Sequence, residues 1–150
     1  MTPDGNVLVA AARDEHVHHV PAVAWLGRAV RSATRLAPLV LFPVVLTGYL
    51  RVMQIRSAFP VRVSPVESLR FVDALDRRSN VVVATLGPEW PRFANLYLRH
   101  APEGGDVTDV WIAAAVLHLG EHLATFDRAS AACCPTPSSP SSTRPPRDRA

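Results

Sequence analysis

Residues 104–127, GGDVTDVWIAAAVLHLGEHLATFD, constrain the fold more than any other stretch, because a helical pattern there runs directly into a short apolar segment. Apolar side chains recur at three- and four-residue spacing up to Gly120, which predicts a helix that ends at a glycine. Residues 122–126 then predict a buried strand with Asp127 at its carboxyl end. Asp109 lies at the head of the helical pattern, where an acid suits the positive helix end. Both acids therefore lie where α/β folds bind ligands.

A third acid, Asp4, lies far away in sequence, just before an apolar run where a brief first strand would turn into a helix. Because ligands in an open parallel sheet bind outside the carboxyl ends of the strands, Asp4, Asp109 and Asp127 form a candidate metal cage. Taken singly, each acid has an equally good structural explanation, as an N-terminal acid, a helix cap and a turn residue. The prediction that they are catalytic and metal-binding rests on the three together.

Between these two ends of the chain, short apolar runs alternate with helical patterns. Ser64 is suited to cap a helix that has Pro65 at its first position, and Pro91 is expected to distort a later helix. Helices are predicted over residues 6–13, 18–35, 44–55, 65–77 and 88–100, strands over 39–42 and 81–84, and a connector over 59–63. The alternation predicts an α/β fold, a three-layer α/β/α sandwich with a mainly parallel central sheet.

The chain has 150 residues, of which 48% are hydrophobic, so it can bury one good core. We expect one domain over residues 1–128, followed by a disordered tail over residues 129–150 that is rich in proline and serine. The most apolar stretch, residues 36–50, falls short of the roughly 20 residues that span a bilayer. No secretory signal is visible, and the adjacent Cys133 and Cys134 argue for a reducing compartment. The protein is therefore expected in the cytoplasm, with no membrane segment.

Charge is unevenly distributed along the chain, although the formal net charge is only +3. Residues 28–78 carry nine arginines against three acids, whereas residues 100–127 carry five acids and no arginine. If the acidic parts meet at a metal and the basic middle forms the rim, the pattern suits a polyanionic substrate. Solvated helix faces explain the same charges about as well. All 16 basic residues are arginine, which excludes mechanisms that need a lysine, such as a Schiff base or a P-loop.

The opening residues, TPDGNVLVAAARDEHVHHVPAVAWL, resemble the start of a PIN domain of the bacterial VapC toxin type. That family has an Asp-x-Asn-Val-Leu motif, a short polar loop, paired histidines and an Ala-x-x-Trp helix. The segment FPVVLTGYLRV is similar to the third helix of the family, and the last predicted helix and strand resemble its closing Thr-Asp helix and Thr-Phe-Asp strand. The three motifs occur in the family order over residues 2–128.

This resemblance implies a metal-dependent endoribonuclease toxin of a toxin–antitoxin system, which hydrolyses RNA with Mg²⁺ or Mn²⁺ and pairs with a cognate antitoxin. It also implies a homodimer, which is common in the family. Asp4, Asp109 and Asp127 match the metal-binding acids of the family. Asn6 matches the polar residue that helps to hold the first acid, and Thr108 matches the hydroxyl residue that supports Asp109.

The sequence departs from the family at Gly48, because many members carry a glutamate there. Glu67 and Asp106 are candidates to replace that carboxylate. The departure keeps open a second interpretation, a catalytically impaired relative that retains antitoxin binding. A phosphotransfer domain is disfavoured, because such domains need a lysine and their phosphatase motif has Asp-x-Asp where this chain has Asp4 and Asn6.

Two sets of conspicuous side chains are expected to be structural. Three histidines lie at a predicted junction between loop and helix, where surface or packing roles are expected: His16, His18 and His19. Three tryptophans lie on helical patterns with apolar neighbours, and we expect them to anchor a core or an interface rather than stack on bases: Trp25, Trp90 and Trp111.

Overall fold

The computed structural model describes residues 1–55, 58–85, 87–100 and 106–127. The strands in these ranges are β1 (Thr2–Pro3), β2 (Leu39–Leu41), β3 (Val81–Val83) and β4 (Leu123–Ala124). The helices are α1 (Gly5–Ala12), α2 (His19–Ser32), α3 (Pro43–Met53), α4 (Pro65–Asp76), α5 (Trp90–His100) and α6 (Asp106–Leu119). The predicted tail over residues 129–150 lies outside the described residues, as do the two cysteines.

The strands form two parallel pairs, β1 with β4 and β2 with β3. The pairs are linked, because the backbone N–H of Val40 in β2 donates to the carbonyl of Met1 at 3.1 Å. The register pairs Thr2 with Leu123, Pro3 with Ala124, Leu39 with Val81, Val40 with Val82 and Leu41 with Val83. All strand pairings among the described residues are parallel and helices connect the strands, which confirms the predicted α/β fold class.

Helix ends with a local sequence signal agree with the predictions. Ser64 caps α4 through a capping box, in which its hydroxyl accepts from the backbone of Glu67 and the Glu67 carboxylate accepts from the backbone of Ser64. Helix α6 ends at Leu119, directly before Gly120, whose φ of 64° is unfavourable for other residues. The N–H of Glu121 donates back to the carbonyl of Val116 at 2.9 Å.

The predicted distortion at Pro91 does not occur, because α5 begins at Trp90 rather than at residue 88. Pro91 thus lies in the first turn, where its missing N–H interrupts no helical hydrogen bond. The prediction of a strand followed by a helix is confirmed in residues 36–50, which contain β2 and the larger part of α3. None of the helices in the described ranges combines the length and the apolar character needed to cross a bilayer.

The core lies around α1, α3, α6 and the sheet. Residues 7–11 of α1 and 112–116 of α6 are buried without interruption, and Tyr49 of α3 and Phe42 are fully enclosed. Burial of each large apolar side chain contributes about 1.5–3 kcal/mol. Because α1 and α6 are fixed by this packing, the residues at their N-termini are also held in place.

Candidate functional site

An open cavity of about 590 Å³ lies beside the carboxyl ends of β1 and β4. Four acids from separate parts of the chain line it, and Asn6 and Thr108 lie among them: Asp4 after β1, Asp106 and Asp109 in the first turn of α6, and Asp127 after β4. The five residues predicted from the sequence thus share one cavity. Asp106, considered only as a substitute for a missing glutamate, lines it too.

Asp4 is the most enclosed of these acids, with 7% of its surface exposed. Asp4 directly follows β1 and is the N-cap of α1. Its backbone N–H donates to the carbonyl of Ala124 in β4 at 2.8 Å. One carboxylate oxygen accepts from the backbone N–H of Gly5 at 2.5 Å, and the other accepts from the hydroxyl of Thr125 at 2.7 Å. These contacts fix the Asp4 carboxylate between the first helix and the last strand.

Thr125 connects the predicted residues, although sequence reasoning did not select it. Its hydroxyl accepts from the side-chain amide of Asn6 at 2.9 Å and from the backbone N–H of Asp127 at 3.0 Å, while it donates to Asp4. Asn6 therefore acts on Asp4 through Thr125 and not directly. The oxygen of the Asn6 side chain also accepts from the backbone N–H of Phe126 at 3.3 Å. The sequence signal for Thr125 is its place in the Thr-Phe-Asp segment.

The electrostatics of Asp4 suit a bound cation. Burial raises the pKa of the Asp4 carboxyl, hydrogen bonds from Thr125 and Gly5 oppose that rise, and the negative charge of Asp127 adds to it. A divalent cation would offset both the burial and the repulsion. Carboxylate, amide and hydroxyl oxygens are the donors that Mg²⁺ and Mn²⁺ prefer, so the residues fit such an ion chemically.

The acids differ in exposure, because Asp109 is half-buried whereas Asp106, Asp127 and Thr108 are exposed. Asp106 and Asp109 lie at the N-terminal end of α6, where the helix dipole favours negative charge. Within the part of the chain that the structure describes, no three His, Cys, Asp or Glu side chains are close enough together, as they stand, to hold a metal ion.

Gly48 of α3, the position at which the resemblance leads one to expect a glutamate, lines the cavity. A Cβ atom built on Gly48 would meet no atom within 4 Å, so the cavity has room for a side chain there. Of the two candidate replacements, Asp106 lines the cavity, whereas Glu67 is exposed and serves the capping box of α4. Arg51 lies one turn after Gly48, in the arginine-rich middle of the chain, and also lines the cavity.

The tryptophans lie away from this cavity. Trp25 packs against the main core, and Trp111 packs beside a smaller cluster between α5 and α6. The indole N–H of Trp111 donates to the buried carboxylate of Glu89 at 2.6 Å, whereas Trp90 is 56% exposed. None of the three lines the acidic cavity, which agrees with the expectation that they do not stack on a substrate there.

A parallel α/β sandwich, with acids after two adjacent strands and at the start of a helix, defines the class of PIN-like folds. The sequence profile of the PIN domain matches residues 1–132, and the chain belongs to the PIN domain family. This confirms the resemblance noted in the sequence.

Among solved structures, the chain is similar to the crystal structure of VapC20 from Mycobacterium tuberculosis, a sarcin–ricin loop cleaving toxin. The TM-score is 0.64 at 15% sequence identity, and the match covers 87% of this chain and 92% of VapC20. At that identity, the likeness shows a shared fold. Among curated proteins, none matches the sequence.

Proposed function

We propose that this protein is a metal-dependent endoribonuclease toxin of a toxin–antitoxin system, which hydrolyses phosphodiester bonds in RNA. The observation that carries the proposal is the gathering of Asp4, Asp106, Asp109 and Asp127 in one cavity of a PIN domain. VapC20, which shares the fold, is a toxin that cleaves the sarcin–ricin loop. A cognate antitoxin and a second copy of the chain are the protein partners in this proposal, and the cytoplasm is its location.

In this proposal, Asp4, Asp109 and Asp127 hold Mg²⁺ or Mn²⁺, and Asp106 adds negative charge beside them. Such an ion can activate a water and stabilise the charge that develops on the scissile phosphate. Thr125 keeps the Asp4 carboxylate oriented through its hydrogen bond. Arg51 lies in the same cavity and is suited to contact the phosphate backbone.

The test is cleavage of a mixed RNA pool by the purified protein with Mg²⁺ or Mn²⁺, beside the variants Asp109→Asn and Asp73→Asn. Asp73 is an exposed acid of α4 that does not line the cavity, so it is the matched control. We expect the parent and Asp73→Asn to cleave, and Asp109→Asn to be slower by on the order of 100-fold, because a metal ligand stabilises the transition state by several kcal/mol. Equal cleavage by all three proteins would contradict the proposal.

Gly48 supports a second candidate, a catalytically impaired relative that retains antitoxin binding. The glutamate that the resemblance leads one to expect at that position is absent, so α3 contributes no carboxylate to the cavity. Absence of metal-dependent cleavage in protein shown to be folded by circular dichroism would favour this candidate. Robust cleavage that depends on Asp109 would exclude it.

A further inference from the structure

The segment between α1 and α2 contains three histidines, and each has different surroundings. His19 at the start of α2 contacts the carbonyl of Ala10 through Nδ1 at 3.0 Å. The ring of His18 stacks on Phe126 with 4.5 Å between the ring centres and 20° between the planes. His16 lines the acidic cavity. His16 is thus the histidine that can meet a molecule bound there.

The backbone fixes which nitrogen of His16 can donate. The Nδ1 atom of His16 accepts from the backbone N–H of His18 at 3.1 Å. A neutral imidazole that accepts at Nδ1 carries its proton at Nε2. Nε2 is therefore the nitrogen of His16 that can donate to a bound molecule. A residue that lines the cavity thus has a tautomer, with its N–H at Nε2, that the backbone favours before any ligand binds.

The surroundings of His16 favour the neutral form of its ring. Burial lowers the pKa of His16, and the positive charges of His18 and His19 lower it further, while Glu15 acts in the opposite direction. A neutral N–H donor does not compete with a cation for the carboxylates of the cavity. It can still donate to an anionic oxygen.

The position of this segment is coupled to the end of β4. Phe126, on which His18 stacks, directly precedes Asp127, and its own N–H donates to Asn6. The segment that carries His16 therefore packs, through His18, against Phe126, which lies beside Asp127 and is hydrogen-bonded to Asn6.

We propose that His16 is a substrate-binding residue whose Nε2–H donates to a non-bridging phosphate oxygen of the RNA. This inference rests on the proposed function, since it takes RNA as the substrate. A phosphate that enters a cavity lined by four acids needs donors on the protein side to offset repulsion, and side-chain N–H groups are common phosphate contacts. His16 supplies one without adding charge.

Two variants separate this role from a purely structural one. His16→Asn places an acceptor near the position of Nδ1 and keeps the hydrogen bond from His18, but its side chain is too short to reach the position of Nε2. His16→Gln reaches the position of Nε2 with an N–H donor and loses the acceptor at Nδ1. The matched control is His118→Asn, at an exposed histidine near the end of α6 that does not line the cavity.

The measurement is Mn²⁺-dependent cleavage of an RNA oligonucleotide, with kcat and KM determined separately. We expect His16→Asn to raise KM about tenfold with little change in kcat, because one hydrogen bond to an anionic group is lost. We expect His16→Gln and His118→Asn to stay within about twofold of the parent. If His16→Gln is impaired and His16→Asn is not, the loop hydrogen bond matters rather than the donor, and the inference is overturned.

Binding of the same oligonucleotide in EDTA, followed by fluorescence anisotropy, distinguishes this inference from the proposed function. If the parent binds RNA in EDTA but does not cleave it when Mn²⁺ is supplied, and His16→Asn weakens binding about tenfold, the nuclease proposal fails while the inference stands. If the parent cleaves RNA and His16→Asn changes neither KM nor binding, the inference fails alone. If the parent neither cleaves nor binds, both fail.

Discussion

At the scale of single residues, the cavity depends on one hydroxyl group. A hydroxyl has one donor and two acceptor sites, and Thr125 uses all three, towards Asp4, Asn6 and the backbone of Asp127. The bond from Thr125 favours the charged form of the Asp4 carboxylate, whereas burial favours the neutral form. Asp4 is thus a residue whose charged form costs the protein stability while it serves the proposed chemistry.

We predict that the stability of Asp4→Asn, compared with that of the parent, increases as pH rises from 3.5 to 7. The pKa of Asp4 is raised above its ordinary value of 3.8, so its favourable contribution is fully present below pH 3.8 and is lost as pH rises through the raised pKa. The asparagine variant has no such titration. The melting temperature of the variant minus that of the parent should therefore increase with pH.

Divalent metal provides the control for this prediction. At pH 7, added Mn²⁺ should raise the melting temperature of the parent, because a ligand that binds only the native state stabilises it. The same addition should have a much smaller effect on Asp4→Asn. A melting-temperature difference that does not change with pH would show that the Asp4 carboxyl titrates alike in the folded and unfolded chains.

Gly48 offers a prediction in the opposite direction, a gain of metal affinity. The cavity has room for a side chain at this position, and its backbone φ is not in the positive range that favours glycine. Gly48→Glu should lower the Mn²⁺ concentration needed for half-maximal cleavage by on the order of tenfold, because an added carboxylate increases the ligand charge. Gly48→Gln is the control, since both variants replace a helical glycine but only one adds charge. Equal metal requirements for the two variants would refute the idea.

At the scale of elements, Arg13 links two segments that border the cavity. It lies at the end of α1 and is only 4% exposed. Its guanidinium pairs with Glu15, donates to the carbonyl of Val61 at 2.6 Å, and lies 4.5 Å from the ring centre of Phe59. Phe59 lines the cavity, so Arg13 fixes the connection between α3 and α4 against the end of α1.

We expect Arg13→Met to reduce the free energy of unfolding by about 1–3 kcal/mol, because the Val61 carbonyl and the Glu15 carboxylate both lose the donor that the buried Arg13 supplies. Urea unfolding followed by circular dichroism measures this difference. Arg62→Met, at an exposed arginine in the same connection, is the matched control and should change stability by no more than about 0.5 kcal/mol. Similar losses for the two variants would mean that the contacts of Arg13 contribute little.

Local signals explain which elements the sequence could predict. Ser64 and Gly120 mark helix ends through their immediate neighbours, and both predictions are confirmed. Arg13 and Thr125 could not be predicted in the same way, because their partners lie 48 and 121 residues away. The placement of His16 in the cavity likewise depends on tertiary packing.

At the scale of the whole molecule, the alternation of strands and helices predicted a parallel α/β fold, but it left the order of the strands undetermined. The pairing of β1 with β4 joins the two ends of the described chain, and the bond between Val40 and Met1 then links this pair to β2 and β3. The pairing of β1 with β4 brings Asp4 and Asp127 into the same cavity. The candidate site was therefore predictable as a set of residues, whereas its hydrogen bonds were not.

The final prediction is that a chain truncated after residue 128 folds and retains the activity of the full chain. The buried residues of the described core end at Val116, and the acids of the cavity end at Asp127. All these residues remain after truncation. A second truncation after residue 132, where the match to the PIN domain ends, is the control.

Both truncated chains should melt within about 2 °C of the full chain, which corresponds to less than 1 kcal/mol for a domain of this size. Their rates of RNA cleavage, or their affinities for RNA in EDTA, should equal those of the full chain. A large loss in the shorter chain alone would place a structural contribution in residues 129–132. A loss in both would place it beyond residue 132, and the domain would then extend past the boundary that the composition predicts.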